Sequence, residues 1–208
     1  MPSVRCIMWV TRFLDTGIRR NWVGLDVGCG GHIGQLAEYG MDFAPCPNFV
    51  LENYPRKKFK QANVYDMPYD TNSFDYVVSS HLLEHLEFPN VALKEMARVA
   101  RHFVIANVPR YTRDKEIAEG DPCISLDHYY FAAYPETMES FGVTRRDFGE
   151  VWSPGATTFN ELEAPHCAWY PYPEDLSALF KRTELFESVN AEVLKGNCGE
   201  CMVWGRVK

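Results

Sequence analysis

No stretch of the 208-residue chain approaches the roughly 18–20 consecutive apolar residues that a membrane-spanning helix needs. The opening run MPSVRCIMWVTRFLD is partly apolar, but Arg12 and Asp15 interrupt it and no small-residue cleavage site follows, so it does not read as a secretory signal. Positive charge is short: 21 Lys and Arg face 28 Asp and Glu, a formal charge of −7. Non-specific attachment to nucleic acid or to an anionic membrane needs clustered cations, so neither partner is expected. The seven cysteines are odd in number and dispersed, which excludes a disulfide framework and reads as reduced thiols in a cytoplasmic protein. Cys198 and Cys201 are close in sequence but lack the two further ligands of structural zinc, Cys123, His166 and Cys167 being scattered. No metal is expected. Internal repeats and low-complexity tracts are also missing.

What is present suits one buried core: 46% apolar and 14% aromatic residues in a length typical of a single domain, 1–208. A helix is expected over residues 3–16, within an amino-terminal segment 1–21. Short strands are expected over 22–27, 40–44, 59–64, 74–80 and 102–108, with brief helices over 32–39 and 49–54. Pro89 suits a first helical turn, and Leu93, Met96, Ala97 and Ala100 follow at one-face spacing. Pro173 opens another helix, and residues 186–194 and 200–207 read as a closing hairpin through Gly196-Asn197-Cys198-Gly199. Strands alternating with helices predict an α/β layer architecture with a mostly parallel sheet. The composition shifts at Pro109. From there to residue 172 the chain is rich in Pro, Tyr, Trp and Phe and weakly periodic, which predicts an inserted lid or substrate segment between a core (22–108) and the closing elements (173–208).

The most informative segment is Leu25-Asp26-Val27-Gly28-Cys29-Gly30-Gly31-His32, where a strand gives way to glycines and then to a helix. Glycines permit positive φ and close backbone approach to a ligand, and a helix start offers free N–H groups. This predicts a nucleotide or nucleoside site at the carboxyl edge of a sheet. The dinucleotide fingerprint G-x-G-x-x-G fails, because its third glycine would fall at Ile33. The Asp26 carboxylate beside the turn suits a ligand with an ammonium group and no phosphate; S-adenosylmethionine (SAM) is one.

With these residues the chain resembles the class I SAM-dependent methyltransferases, particularly the small-molecule type with a "DVGCGxG" loop and an "LEH" motif. Gly40-Met41-Asp42-Phe43-Ala44-Pro45 is similar to that family's second strand, Asn63-Val64-Tyr65-Asp66-Met67-Pro68-Tyr69 to its "DAxxLPF" segment, and residues 72–85, NSFDYVVSSHLLEH, to "NSFDxVxSxxxLEH". Residues 92–99 resemble the helix that follows, and the terminal hairpin its sixth and seventh strands. Departures are the displaced third glycine, the mere 16 positions between Asp26 and Asp42, Asn63 in place of an Asp, and the missing "KPGG" turn before the fifth strand.

The resemblance implies a Rossmann-like seven-stranded, mostly parallel sheet with helices on both faces and a closing antiparallel hairpin. It implies that Asp26 holds the methionine amine, that Gly28, Cys29 and Gly30 pack against methionine and ribose, and that Asp42 binds the ribose hydroxyls. Phe43 is then expected against adenine, Asn63 and Val64 at the adenine edge, and Ser79, Ser80 and His81 beside the sulfonium. Any base is sought among His81, His85 and His128, since imidazole titrates near neutrality. On a helix His81 and His85 share a face while Glu84 points elsewhere. The reading is a methyltransferase acting on a small molecule. Its alternatives are a catalytically weak methyltransferase-like binding or regulatory subunit and, less favoured, a nucleic-acid methyltransferase. Against the last, residues 79–82 read SSHL where amino-methylating DNA enzymes carry N/D-P-P-Y/F.

Overall fold

The computed structural model describes residues 21–30, 33, 37–44, 57–109, 172–194 and 200–208. Seven strands form one sheet: β1 (Gly24–Val27), β2 (Tyr39–Asp42), β3 (Lys58–Gln61), β4 (Phe74–Ser80), β5 (Ala100–Pro109), β6 (Phe186–Leu194) and β7 (Glu200–Val207). Their spatial order is β3-β2-β1-β4-β5-β7-β6. The first five run parallel, and β7 lies antiparallel between β5 and β6. This is the expected Rossmann-like sheet with its closing antiparallel pair.

Two helices are described, α1 (Pro89–Val99) and α2 (Pro173–Arg182). Proline opens each, where its missing N–H costs nothing. On α1 the residues Ala92, Leu93, Met96, Ala97 and Val99 form the buried stripe. Burying Leu93 and Met96 completely contributes about 2–3 kcal/mol each. α2 carries Glu174 and Asp175 in its first turn and Lys181 and Arg182 in its last, matching the helix dipole at both ends. The core runs from Leu25, Val27 and Met41 through Val77, Leu93 and Met96 to Leu176, Phe180 and Val203.

Several boundaries differ from expectation. Tyr39 is the first residue of β2, so no helix reaches it. β3 ends at Gln61, because Asn63 starts a turn in which its carbonyl accepts from Asp66 N–H. α1 passes into β5 without a loop: Ala100 caps the helix with extended φ, ψ and is also the first strand residue. The expected helices at 3–16 and 49–54, half of 32–39, and all of the 109–172 segment but its first and last residues lie outside the described residues.

Candidate functional site

The chain leaves β1 to build β2 and β3 on one side, then returns to build β4 and β5 on the other. The carboxyl ends of β1 and β4 therefore flank a point where connections diverge, the usual location for a ligand in such sheets. Val27 is in register with both Met41 and Ser79, so the ends of β2, β1 and β4 lie side by side. That edge gathers nearly all the sequence-predicted residues.

The glycine turn is fastened to β2. Gly28 and Gly30 have φ of +72° and +57°, a region that side chains resist. The N–H groups of Gly28 and Cys29 both donate to the Met41 carbonyl, at 2.8 and 3.3 Å. Gly30 N–H donates to Asp42 Oδ2 at 2.7 Å, and Ala44 N–H to Asp42 Oδ1 at 2.8 Å. Burial raises the Asp42 carboxyl above its ordinary range, against the lowering effect of these backbone donors. Asp42 thus braces the loop.

Ile33, where a dinucleotide fingerprint has its third glycine, is buried against Gly40. A Cβ on Gly40 would fall 2.3 Å from Ile33 Cγ1. The small residue needed for close packing has moved across the contact, from the loop to the second strand.

Asp26 is buried, 7% exposed, between Gly40 and Val78. Phe43 follows Asp42 with 41% of its surface exposed, and Gln61 Nε2 holds its carbonyl at 2.9 Å. Asn63 and Val64 follow β3 at the same edge. The Asn63 side-chain carbonyl accepts from Tyr65 N–H at 2.9 Å, so one of its two lone pairs is already used. Arg98 on α1 fixes the segment after this turn, donating to the carbonyls of Tyr69 (2.7 Å) and Met67 (2.9 Å). It also pairs bidentately with Glu95, holding that carboxyl below its usual range, while Glu95 accepts from Met67 N–H.

Ser79, Ser80 and His81 end β4. Ser79 is buried and its hydroxyl has no hydrogen-bond partner among the described residues. His81 has φ of +54° and donates its backbone N–H to the Asn107 carbonyl at 2.9 Å. Its ring Nε2 lies 3.3 Å from Glu200 Oε1, and Nδ1 lies 3.9 Å from Glu84 Oε1. Burial lowers the imidazole pKa, but the Glu200 hydrogen bond and the charges of Glu84 and Glu200 together outweigh it, and the net direction is up.

Residues 81–85 do not form the helix on which Glu84 would point away. His81 is left-handed and only Leu83–His85 make a 3-10 turn. Glu84 therefore turns inward, fully buried, and sits 4.0 Å from His85 Nε2 as well as near His81. Neither of its oxygens has a hydrogen-bond partner among the described residues. Burial raises its carboxyl, with the His85 and His81 rings pulling the other way. His128 lies outside the described residues. Sequence reasoning missed Glu200 and Asn107: both read as ordinary strand residues, and it takes the β4–β5 pairing to bring Asn107, and the β5–β7 pairing to bring Glu200, to His81. No group of three or more His, Cys, Asp or Glu among the described residues is arranged to hold a metal ion.

Residues 25–103 match the family model of the methyltransferase domain. No curated protein matches the chain in sequence. In fold it is similar to a SAM-dependent methyltransferase of Thermotoga maritima, titled a possible histamine N-methyltransferase, at 13% identity and a TM-score of 0.56, covering 98% of this chain and 97% of that one. It is also similar to the Burkholderia thailandensis 1,6-didemethyltoxoflavin-N1-methyltransferase with bound 1,6-didemethyltoxoflavin and S-adenosylhomocysteine (14%, TM-score 0.58, 95% and 76% covered). The magnesium protoporphyrin IX methyltransferase of Synechocystis with bound SAM is a third (11%, TM-score 0.55, 97% and 77% covered). The resemblance to class I SAM-dependent methyltransferases thus holds in sequence over residues 25–103 and in fold over nearly the whole chain.

Proposed function

We propose that the chain is a SAM-dependent methyltransferase acting on a small molecule. The observation that carries this reading is the Gly28–Gly30 turn, whose positive-φ glycines hang from the Met41 carbonyl and the Asp42 carboxylate at the point where the sheet order reverses. The residues fit the cofactor. A buried carboxylate at Asp26 suits an ammonium, the Asp42 carboxylate beside the turn suits a diol, and Phe43 offers an exposed ring to a base. A Cβ on Gly28 would meet Leu82 at 2.9 Å, so only glycine fits at the turn.

When bound, SAM supplies an electrophilic methyl group on a leaving group that is already good. The protein's task is then orientation and exclusion of water. Asp26 and the glycine turn would hold the amino-acid end, Asp42 the ribose, and Phe43 with Asn63 and Val64 the adenine. Ser79, Ser80 and His81 would face the reacting end from β4. The acceptor reading follows two structurally similar proteins, the 1,6-didemethyltoxoflavin-N1-methyltransferase and the magnesium protoporphyrin IX methyltransferase, and the charge of −7 argues against nucleic acid. No described helix is long and apolar enough to cross a membrane.

Calorimetry with S-adenosylhomocysteine tests the reading. The wild type is expected to bind, and Asp26→Asn and Asp42→Ala each to weaken binding by about 10-fold or more, the loss of one or two charge-assisted hydrogen bonds. No binding to the wild type, or unchanged affinity in both variants with the fold intact, would remove the argument. Binding with no methyl transfer from labelled SAM to any of a broad acceptor panel would favour a binding or regulatory subunit.

A further inference from the structure

At the carboxyl end of β4, four side chains from four elements meet: His81 after β4, Glu84 in the 3-10 turn, Asn107 in β5 and Glu200 in β7. Asn107 holds this group twice. Its backbone carbonyl accepts from His81 N–H at 2.9 Å, which fixes a histidine in the left-handed region. Its side-chain Nδ2 donates to Glu200 Oε2 at 3.0 Å, which aims the other carboxylate oxygen at the His81 ring. A non-glycine residue held at positive φ is a conformation that persists only when its surroundings over-determine it. Here they do so by gripping both backbone and ring.

We propose that His81 is the general base that takes a proton from the methyl acceptor on Nδ1, with Glu200 and Asn107 positioning the ring through Nε2 and the nearby buried Glu84 favouring the imidazolium by its charge. This rests on the methyltransferase reading above and adds to it a class of acceptor: one that must lose a proton to react, such as a hydroxyl, a thiol or a protonated amine.

The geometry selects the nitrogen. An ionised carboxylate only accepts, so the 3.3 Å contact assigns the hydrogen to Nε2 and the lone pair to Nδ1. Nδ1 is 3.9 Å from Glu84 Oε1, too far for a hydrogen bond yet close enough for an ion pair once the ring is charged. The buried carboxylate of Glu84 has no hydrogen-bond partner among the described residues, only the two imidazoles near it, and burying such a group costs stability. A proton on Nδ1 sets a positive charge beside it and offsets part of that cost. In the step itself the acceptor's X–H bond breaks and its proton bonds to Nδ1. The freed electron pair bonds the methyl carbon, and the pair of the broken carbon–sulfur bond stays on sulfur. The His81 side chain is 40% exposed, so the imidazolium can return its proton to water afterwards. The charged and titratable groups facing the ring among the described residues are Glu84, with His85 behind it, and Glu200. Both carboxylates raise its basicity, in keeping with the net upward shift.

The test is a long-range proton–nitrogen NMR titration of the 15N-labelled full chain, run from about pH 5 to about pH 9 to span the imidazole range. In the wild type the neutral His81 ring is expected as the Nε2–H tautomer, with a midpoint above the ordinary histidine value. Glu200→Gln should lower the midpoint and mix the tautomers. Glu84→Gln should lower the midpoint and leave the tautomer alone. Diethyl pyrocarbonate, mapped by mass spectrometry, should label His81, since its side chain is 40% exposed and a neutral ring offers one nucleophilic nitrogen. A wild-type Nδ1–H tautomer, an unlabelled His81, or a midpoint that neither variant moves would overturn the proposal. The first two need no variant, so a variant that fails to fold does not decide the matter. S-adenosylhomocysteine calorimetry is read separately: a wild-type chain that fails to bind it sinks the cofactor reading, whereas a wrong tautomer sinks only the base.

Discussion

The carboxyl ends of β1 and β2 and those of β4, β5 and β7 lie on one edge of the same sheet, yet they treat buried charge in opposite ways. At the first, the Asp42 carboxylate takes a backbone N–H on each oxygen, and the positive φ falls on glycines. Every local demand is met before any ligand arrives. At the second, the positive φ falls on His81, and the Glu84 carboxylate is buried with no hydrogen-bond partner among the described residues. A satisfied site is a preformed holder, because little reorganisation remains for binding. A site with an unmet buried acceptor carries strain that a proton can relieve. The contrast divides the edge into a part that binds and a part that moves charge.

The comparison is most sharply broken at the glycine turn. Gly28→Val places a β-branched side chain at φ +72° and sets its Cβ 2.9 Å from Leu82. Left-handed backbone and overpacking together should cost about 3 kcal/mol or more, and should abolish S-adenosylhomocysteine binding. Urea unfolding and calorimetry measure the two losses. A near-neutral substitution would mean that the turn is not the rigid holder described.

Gly40→Ala probes the exchange of the small residue between loop and strand. Its Cβ falls 2.3 Å from Ile33 Cγ1, so the single variant should lose about 1–3 kcal/mol by overpacking. Ile33→Ala alone should lose about 2–4 kcal/mol, as a large-to-small change at a buried site. In the double variant the new methyl group occupies space that Ile33 has vacated. The combined loss should therefore fall short of the sum by about 1 kcal/mol or more. Additive losses by chemical denaturation would show that the two residues do not share one packing site.

The two sites were not equally legible in the sequence. The holder was legible because it is local: Asp26, Gly28, Gly30 and Asp42 sit in two short segments whose spacing carries the geometry, and a family pattern runs through both. The helix after Pro89 and the closing strands were legible because proline, an apolar stripe and a hairpin signal each act within a few residues. The His81 cluster was not. Glu200 is 119 positions from His81 and reaches it only because β7 inserts between β5 and β6. The inward turn of Glu84 depends on one left-handed residue, which breaks the helical spacing assumed for residues 81–85. Nor could the sequence show that Gly40 answers for Ile33, since the exchange is between strand and loop rather than along either.

The smallest expected effect has the opposite sign, which makes it the most discriminating. Glu84→Met removes a fully buried carboxylate that has no hydrogen-bond partner among the described residues and substitutes an apolar side chain of similar length. Replacing such a group is often stabilising, here by about 1–2 kcal/mol above neutral pH, where the carboxylate is costliest. The pH dependence follows from linkage. A carboxyl raised by burial binds its proton more tightly in the folded state, so its contribution favours folding at low pH. That contribution falls as pH rises through the ordinary carboxylate range and levels off only above the raised value. The gain from Glu84→Met should therefore be smallest in acid and largest in base, the reverse of what a stabilising salt bridge would show. Denaturation midpoints measured across that range decide it. A variant that loses stability at every pH would mean that Glu84 is held by its two histidines more strongly than its burial penalises it, and the second half of the edge would then be as settled as the first.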